Sequence, residues 1–235
     1  MKPIHKKLYK YFNQINDFYK ERGLELLASA GTLLGAIRDG GIIEWDDDID
    51  LEIKEDQEER FLEISKELEE TFGWICYFHN PNDGYKFKDK KGNEIPIDIF
   101  VLRSAKEKIS FLKKIKINLL LLKVLNKDSI NSFRNKKIRL ITKILKPIAH
   151  ILIWGKKEYK DIFKEMQDKD SKYFAETSSL QMFKRTIIEK EKMKNFKEVK
   201  FGDTKIFVSD VAEERLEKSY GNWMKPEVWE THDNK

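Results

Sequence analysis

The chain has 235 residues, 40% of them hydrophobic and 37% charged, with a formal net charge of +5. That is enough for one well-formed core, or for one domain with a large appendage. The single cysteine, Cys76, excludes an internal disulfide and fits a reducing compartment. Residues 1–23 are charged and amphipathic where a secretory signal would be apolar, and no run is long enough to span a bilayer, so a soluble cytoplasmic protein is expected.

Taken in order, residues 4–22 predict an amphipathic helix with Ile4, Leu8, Tyr11, Phe12, Ile15, Phe18 and Tyr19 on one stripe and Gly23 closing it. Leu24 to Ala28 reads as a short strand that feeds the small-residue turn Ser29-Ala30-Gly31-Thr32 and a short helix over 33–38. Asp39-Gly40-Gly41 turns the chain into the acidic strand Asp48 to Ile53. A helix over 55–72 follows, ending at Gly73, and then three strands over 74–78, 85–88 and 94–102, the last two joined by a hairpin loop at 89–93. Cys76 falls in an apolar run, which suits a packed thiol rather than a nucleophile.

Residues 104–157 change character. Ile109 to Leu122 reads as one helix and Ile138 to Trp154, interrupted by Pro147, as a second. Between Lys106 and Lys157 there are fifteen Lys and Arg against Glu107 and Asp128, a local balance of +13 that leaves the rest of the chain at −8. Such segregation marks a surface for an anionic partner, and Lys113, Lys114 and Lys116 are candidate contacts to an anionic membrane or acceptor. The alternative is a packed helical pair with solvated lysines. Further helices are expected over 158–170 and 180–194, then a hairpin around Gly202-Asp203 and a final helix capped by Asp210. The expected divisions are a core over 1–103, a basic helical insert over 104–157 and a helical C-terminal region over 158–235.

The chemistry gathers in ASAGTLLGAIRDGGIIEWDDDIDLEI, residues 28–53. Ile49, Leu51 and Ile53 alternate with Asp48, Asp50 and Glu52, so on a strand the acids share one face. Acids at that spacing repel one another and need a cation. An all-oxygen set suits a hard divalent ion, Mg²⁺ or Mn²⁺. Asp46, two residues before Asp48, is placed on the same face as a third or outer ligand, and Asp47 points the other way. Gly31 and Thr32 would offer backbone N–H groups to a phosphate at a helix start. Arg38 either clamps a phosphate or pairs with the acid cluster, and Trp45 either stacks on a ligand or lies at the core edge. His5, His79, His150 and His232 show no ligand spacing.

The run G-T-L-L-G-A-I-R followed by W-D-D-D-I-D resembles the LicD family of phosphocholine transferases and its fukutin-related relatives, of the nucleotidyltransferase-fold superfamily shared with DNA polymerase beta. The ending Y-G-N-W-M-K-P, residues 220–226, is similar too. Asp39 and Glu44 stand where that family tends to carry His and Pro. The resemblance implies an α+β fold with a small mixed sheet flanked by helices, and a metal-dependent transfer of a phospho-alcohol, phosphocholine first, from a CDP-linked donor such as CDP-choline. The acceptor would be a sugar hydroxyl of a cell-surface glycan precursor, often lipid-linked, reached from the inner face of the membrane. It places Asp48, Asp50 and Ile97-Asp98-Ile99 as the metal and catalytic acids. Two other classes remain open: transfer of a nucleotide from an NTP to a small hydroxylated acceptor, and a non-catalytic module binding anionic membrane or nucleic acid.

Overall fold

A computed structural model describes residues 2–80, 84–131 and 135–225 of the chain. In order, the elements are α1 (Pro3–Lys20), β1 (Leu27–Ala28), α2 (Ala30–Leu34), β2 (Ile49–Lys54), α3 (Glu58–Phe72), β3 (Ile75–Asn80), β4 (Gly84–Lys88) and β5 (Glu94–Ala105). There follow α4 (Phe111–Val124), α5 (Lys127–Asn131), α6 (Lys136–Leu152), α7 (Tyr159–Met166), β6 (Tyr173–Glu176) and α8 (Leu180–Thr186). The chain ends in β7 (Ile188–Glu189), β8 (Phe196–Phe201), β9 (Thr204–Ser209) and α9 (Ala212–Tyr220). They divide into two compact units, Met1–Arg103 with Ile188–Lys235, and Ser104–Ile187. Residues 158–187 therefore share a unit with 104–157 and not with the C-terminal segment.

The first unit carries an open mixed sheet in the order β3-β4-β5-β2-β1-β9-β8. β2 and β5 run parallel, as do β1 and β9, and the other neighbours on this path are antiparallel. Alternation in β2 and β5 turns Ile49, Leu51 and Ile53 and Ile95, Ile97 and Ile99 into the core. There they meet Leu8, Phe12, Ile15 and Tyr19 of α1 and Phe61, Ile64 and Leu68 of α3. The stripe expected on α1 is the buried one, with His5 added to it. Phe61 is fully buried, stacks on Tyr19 at 5.2 Å and meets Phe87 edge-on at 6.4 Å. The Tyr19 hydroxyl, buried beneath it, shares a 2.7 Å hydrogen bond with Ser65 Oγ.

The β8–β9 hairpin adds an edge to this sheet, and its turn is held against the loop after α2. Gly202 N–H donates to Gly40 O at 2.7 Å, and a Cβ on Gly202 would lie 2.5 Å from Tyr9 Cζ. With φ at +64° as well, the position accepts only glycine without rearrangement.

The second unit has its own small core of Ala105, Ile117, Leu120, Ile162, Met166 and Phe183. Three local expectations are corrected in the structure. Helix α6 runs through Pro147, whose absent N–H removes one helical bond without ending the helix. The helix expected over 180–194 stops at Thr186, where the β-branched run Thr186-Ile187-Ile188 favours extended backbone and Thr186 Oγ1 accepts from Glu176 N–H at 2.8 Å. Asp210 does not cap α9: Val211 holds that place, and Asp210 N–H donates to Asn195 O at 3.2 Å. Strand β6 was not anticipated. Pro226 and His232 lie outside the described residues.

Because Phe61 touches three aromatic rings and no solvent, Phe61→Ala should destabilise the protein by about 3–5 kcal/mol. Urea unfolding of the variant checks this, and an unchanged midpoint would remove Phe61 from the centre of the core.

Candidate active site

The parallel register of β2 on β5 pairs Asp50 with Asp98 and Glu52 with Phe100. Side chains at paired positions of neighbouring strands share a face, so the two aspartates lie side by side on the face opposite the core isoleucines. Asp48 stands just before β2, and oxygens of Asp48, Asp50 and Asp98 lie within 4.8 Å of one another. Oxygens of Asp46, Asp47 and Asp48 form a second group of the same span.

This second group corrects the strand-based placement of Asp46 and Asp47. β2 begins at Ile49, so residues 46–48 belong to a loop in which two-residue alternation does not hold. Asp46 reaches the cluster through that loop, its backbone tied by His5 Nε2 to Asp46 O at 3.1 Å, and Asp47 lies beside it rather than facing away.

Gly31 and Thr32 hold Asp50. Gly31 N–H donates to Asp50 Oδ2 at 3.2 Å, and Asp50 N–H donates to Thr32 Oγ1 at 2.8 Å. The expected phosphate donor is thus engaged by a carboxylate of the cluster. A Cβ on Gly31 would sit 2.8 Å from Asp46 Oδ2, so the backbone must pass this close without a side chain. The residue before it, Ala30, has φ at +39°, a left-handed conformation that costs a non-glycine residue energy and is here fixed by the bonds on either side.

Two cations serve this face. Lys86, paired with Asp98 across β4 and β5, brings Nζ to 3.0 Å from Asp98 Oδ1. Arg215 of α9 forms a bidentate pair with Glu52 at 2.5 and 2.6 Å, and Ser29 Oγ donates to the same carboxylate at 3.0 Å. Glu52 and Arg215 are almost wholly buried. Neither cation was singled out from the sequence. The alternation Tyr85-Lys86-Phe87-Lys88 carried a signal for Lys86, since it puts both lysines on one face of β4, whereas Arg215 lies 163 residues from Glu52 and left none.

Burial, then repulsion from Asp48 and Asp47, pushes Asp46 up to about 7. Burial, then the charges of Asp48, Asp98 and Asp46, pushes Asp50 well above the usual carboxylate range. A site that resists losing its protons this way, built of oxygen donors alone, fits a hard divalent cation such as Mg²⁺ or Mn²⁺. Among the described residues, the groupings that could hold a metal consist of aspartates only.

The remaining candidates fall elsewhere. Arg38 forms a bidentate pair with its neighbour Asp39, both bonds at 2.8 Å, and so meets neither a cluster acid nor an open face. Trp45 is half-buried and packs on the core edge. Burial pushes the Cys76 thiol up to about 12, which keeps it protonated and inert. In the second unit Lys116 pairs with Glu165 at 2.5 Å, and Lys113 and Lys114 are half-buried.

Two outcomes follow for the protein in chelator. Asp46 and Asp50 have folded-state values raised above their unfolded ones, so their contribution is fully present below about pH 4 and is lost as pH rises through about 7 for Asp46. Thermal stability should therefore fall between about pH 5 and pH 8, and Asp50→Asn should flatten that fall; a flat wild-type profile would contradict the repulsion. Arg215→Met leaves the Glu52 carboxylate buried without its partner and should cost about 3–5 kcal/mol in urea unfolding, most of it recovered by adding Glu52→Leu.

Residues 23–119 match the family profile described as LicD/FKTN/FKRP, nucleotidyltransferase domain. An uncharacterized protein of Rickettsia typhi is 29% identical over 105 residues, which cover 43% of this chain and 30% of that protein. The lipopolysaccharide cholinephosphotransferase LicD of Haemophilus influenzae is 41% identical over 54 residues, 23% of this chain and 19% of that protein. The matched stretches thus span less than a third of either relative. The acids gathered on β2 and β5 lie inside the matched segment, and it is through residues 23–119 that the chain is similar to the LicD family.

Proposed function

We propose that the first unit is a nucleotidyltransferase-like catalytic core. Its reaction is transfer of a phospho-alcohol, phosphocholine first, from a CDP-linked donor to a sugar hydroxyl of a glycan precursor. The observation that carries this reading is the convergence of Asp48, Asp50 and Asp98 within 4.8 Å, at register-paired positions of two parallel strands, in a segment similar to the LicD family. The likeness to the Haemophilus lipopolysaccharide cholinephosphotransferase supports phosphocholine among the phospho-alcohols.

Asp48 and Asp50 are the residues that would hold Mg²⁺ or Mn²⁺, with Asp98 beside them and Asp46 at the margin. When bound, such an ion supplies charge neutralisation at the phosphate oxygens and makes the phosphorus more electrophilic. Gly31 and Thr32 fix the position of Asp50, so the carboxylate cannot turn away from the cluster when its neighbours repel it. Asp98, held by Lys86, takes the proton of the attacking sugar hydroxyl as the bond from phosphorus to CMP breaks. Before that step the Lys86 ammonium balances the Asp98 carboxylate and keeps it ionised.

Asp48→Asn, Asp50→Asn and Asp98→Asn should each lower turnover of CDP-choline by about a hundredfold or more while the protein stays folded by circular dichroism. The product identifies the reaction. CMP released only with Mg²⁺ and a glycan acceptor supports phospho-alcohol transfer. Pyrophosphate released from an NTP would replace it with nucleotidyl transfer, and release of neither would leave a binding module.

A further inference from the structure

Helix α6 is packed with its apolar side outward. Its inward residues are Thr142 and Ala149, flanked by half-buried Arg139 and Lys146. At about 100° per residue, the side chains over an arc of roughly 160° that begins beside that seam and runs round the far side of the helix are almost all isoleucine and leucine. They include Ile138, Leu140, Ile141, Ile144, Ile148 and Ile151, which are 45–80% exposed. A helix whose role is to pack on its own unit turns this stripe inward. Trp154, just beyond the last turn, is 92% exposed.

The second observation lies on the edge of that stripe. A cavity of about 310 Å³ is lined by Lys127, Ile130, Lys143, Lys146, Pro147 and His150, three lysines and a histidine with no acid. Lys143, Pro147 and His150 follow one another along the helix at the boundary between the buried seam and the apolar arc. Residues 136–152 contain no Asp or Glu at all.

We propose that α6 lies in the plane of a membrane surface, with its Ile/Leu face at the acyl boundary and the Lys127–Lys143–Lys146–His150 cleft holding the phosphate of an anionic phospholipid. Several properties select this occupant. The face is a convex helix rather than a groove, it is aliphatic except for Lys137, and among the described residues the cations lining the cleft on its flank have no acid with them. A second copy of the chain would bring more lysine to a face that has no acid for it. An exposed tryptophan at the helix end suits the headgroup level. Among the described residues no helix is long and apolar enough to cross a membrane, so this one can lie on the surface but not span it. The inference does not depend on the reaction at the aspartates, and its test uses no turnover.

The full chain is sedimented with phosphatidylcholine vesicles, with and without phosphatidylglycerol, at low and moderate salt. Binding is expected to the anionic vesicles and to weaken with salt. Ile144→Gln/Ile148→Gln/Ile151→Gln should abolish it with an unchanged melting temperature, since all three side chains are exposed. Lys127→Gln/Lys143→Gln should weaken it by roughly tenfold and reduce its salt dependence. Inorganic phosphate should displace the protein no better than chloride at equal ionic strength. Absence from every pellet, equal binding by all variants, or binding of inorganic phosphate without vesicle binding would overturn the proposal. So would a dimer that the isoleucine variant dissolves in a protein that ignores vesicles.

Discussion

The first unit is organised around a concentration of negative charge. The parallel register of β2 on β5 sets Asp50 against Asp98, and the loop before β2 brings Asp46, Asp47 and Asp48 to the same place. Carboxylates this close repel one another strongly wherever water is displaced. The surrounding structure answers that repulsion piece by piece. Lys86 is set against Asp98 from β4, Arg215 neutralises Glu52 from α9, and the turn at Gly31 and Thr32 holds Asp50 from both its backbone and its side chain. The repulsion that remains, at Asp46 and Asp50, is the part a divalent cation would relieve.

Glu52 and Asp50 illustrate how position along one strand separates structure from chemistry. Both project from the same face of β2, two residues apart. Glu52 meets a buried guanidinium and Ser29, which satisfy its oxygens and make it a tie between the sheet and α9. Asp50 receives a single backbone N–H on one oxygen and faces other acids. A carboxylate whose oxygens are already taken has nothing left to offer a ligand; one surrounded by like charge does.

The second unit is built on the opposite charge. Its helices carry the lysines that give the chain its basic balance, and its small core leaves much of the apolar surface of α6 in contact with solvent. An apolar stripe that faces outward is unfavourable for an isolated domain in water and becomes favourable only when something covers it. The lysine-lined cleft at its margin restricts the charge of that partner.

The sequence by itself determined the local elements and the identity of the acids. Alternation in Ile49 to Ile53 and Ile95 to Ile99 separated core from acid face, the stripe of α1 named the residues it buries, and the run from Gly31 to Asp50 carried the resemblance to the LicD family. These are legible because strand and helix periods act over a few neighbouring residues. Tertiary structure decided which charges meet. Arg215 reaches Glu52 from far along the chain, Lys86 finds Asp98 through a strand register, and Asp46 and Asp47 enter the cluster because the strand begins later than the alternation implied. It also decided that Gly31 N–H serves Asp50 and that α6 turns its isoleucines outward. A sequence pattern specifies which face of an element is apolar, but only the packing of distant elements settles whether that face is buried or left exposed.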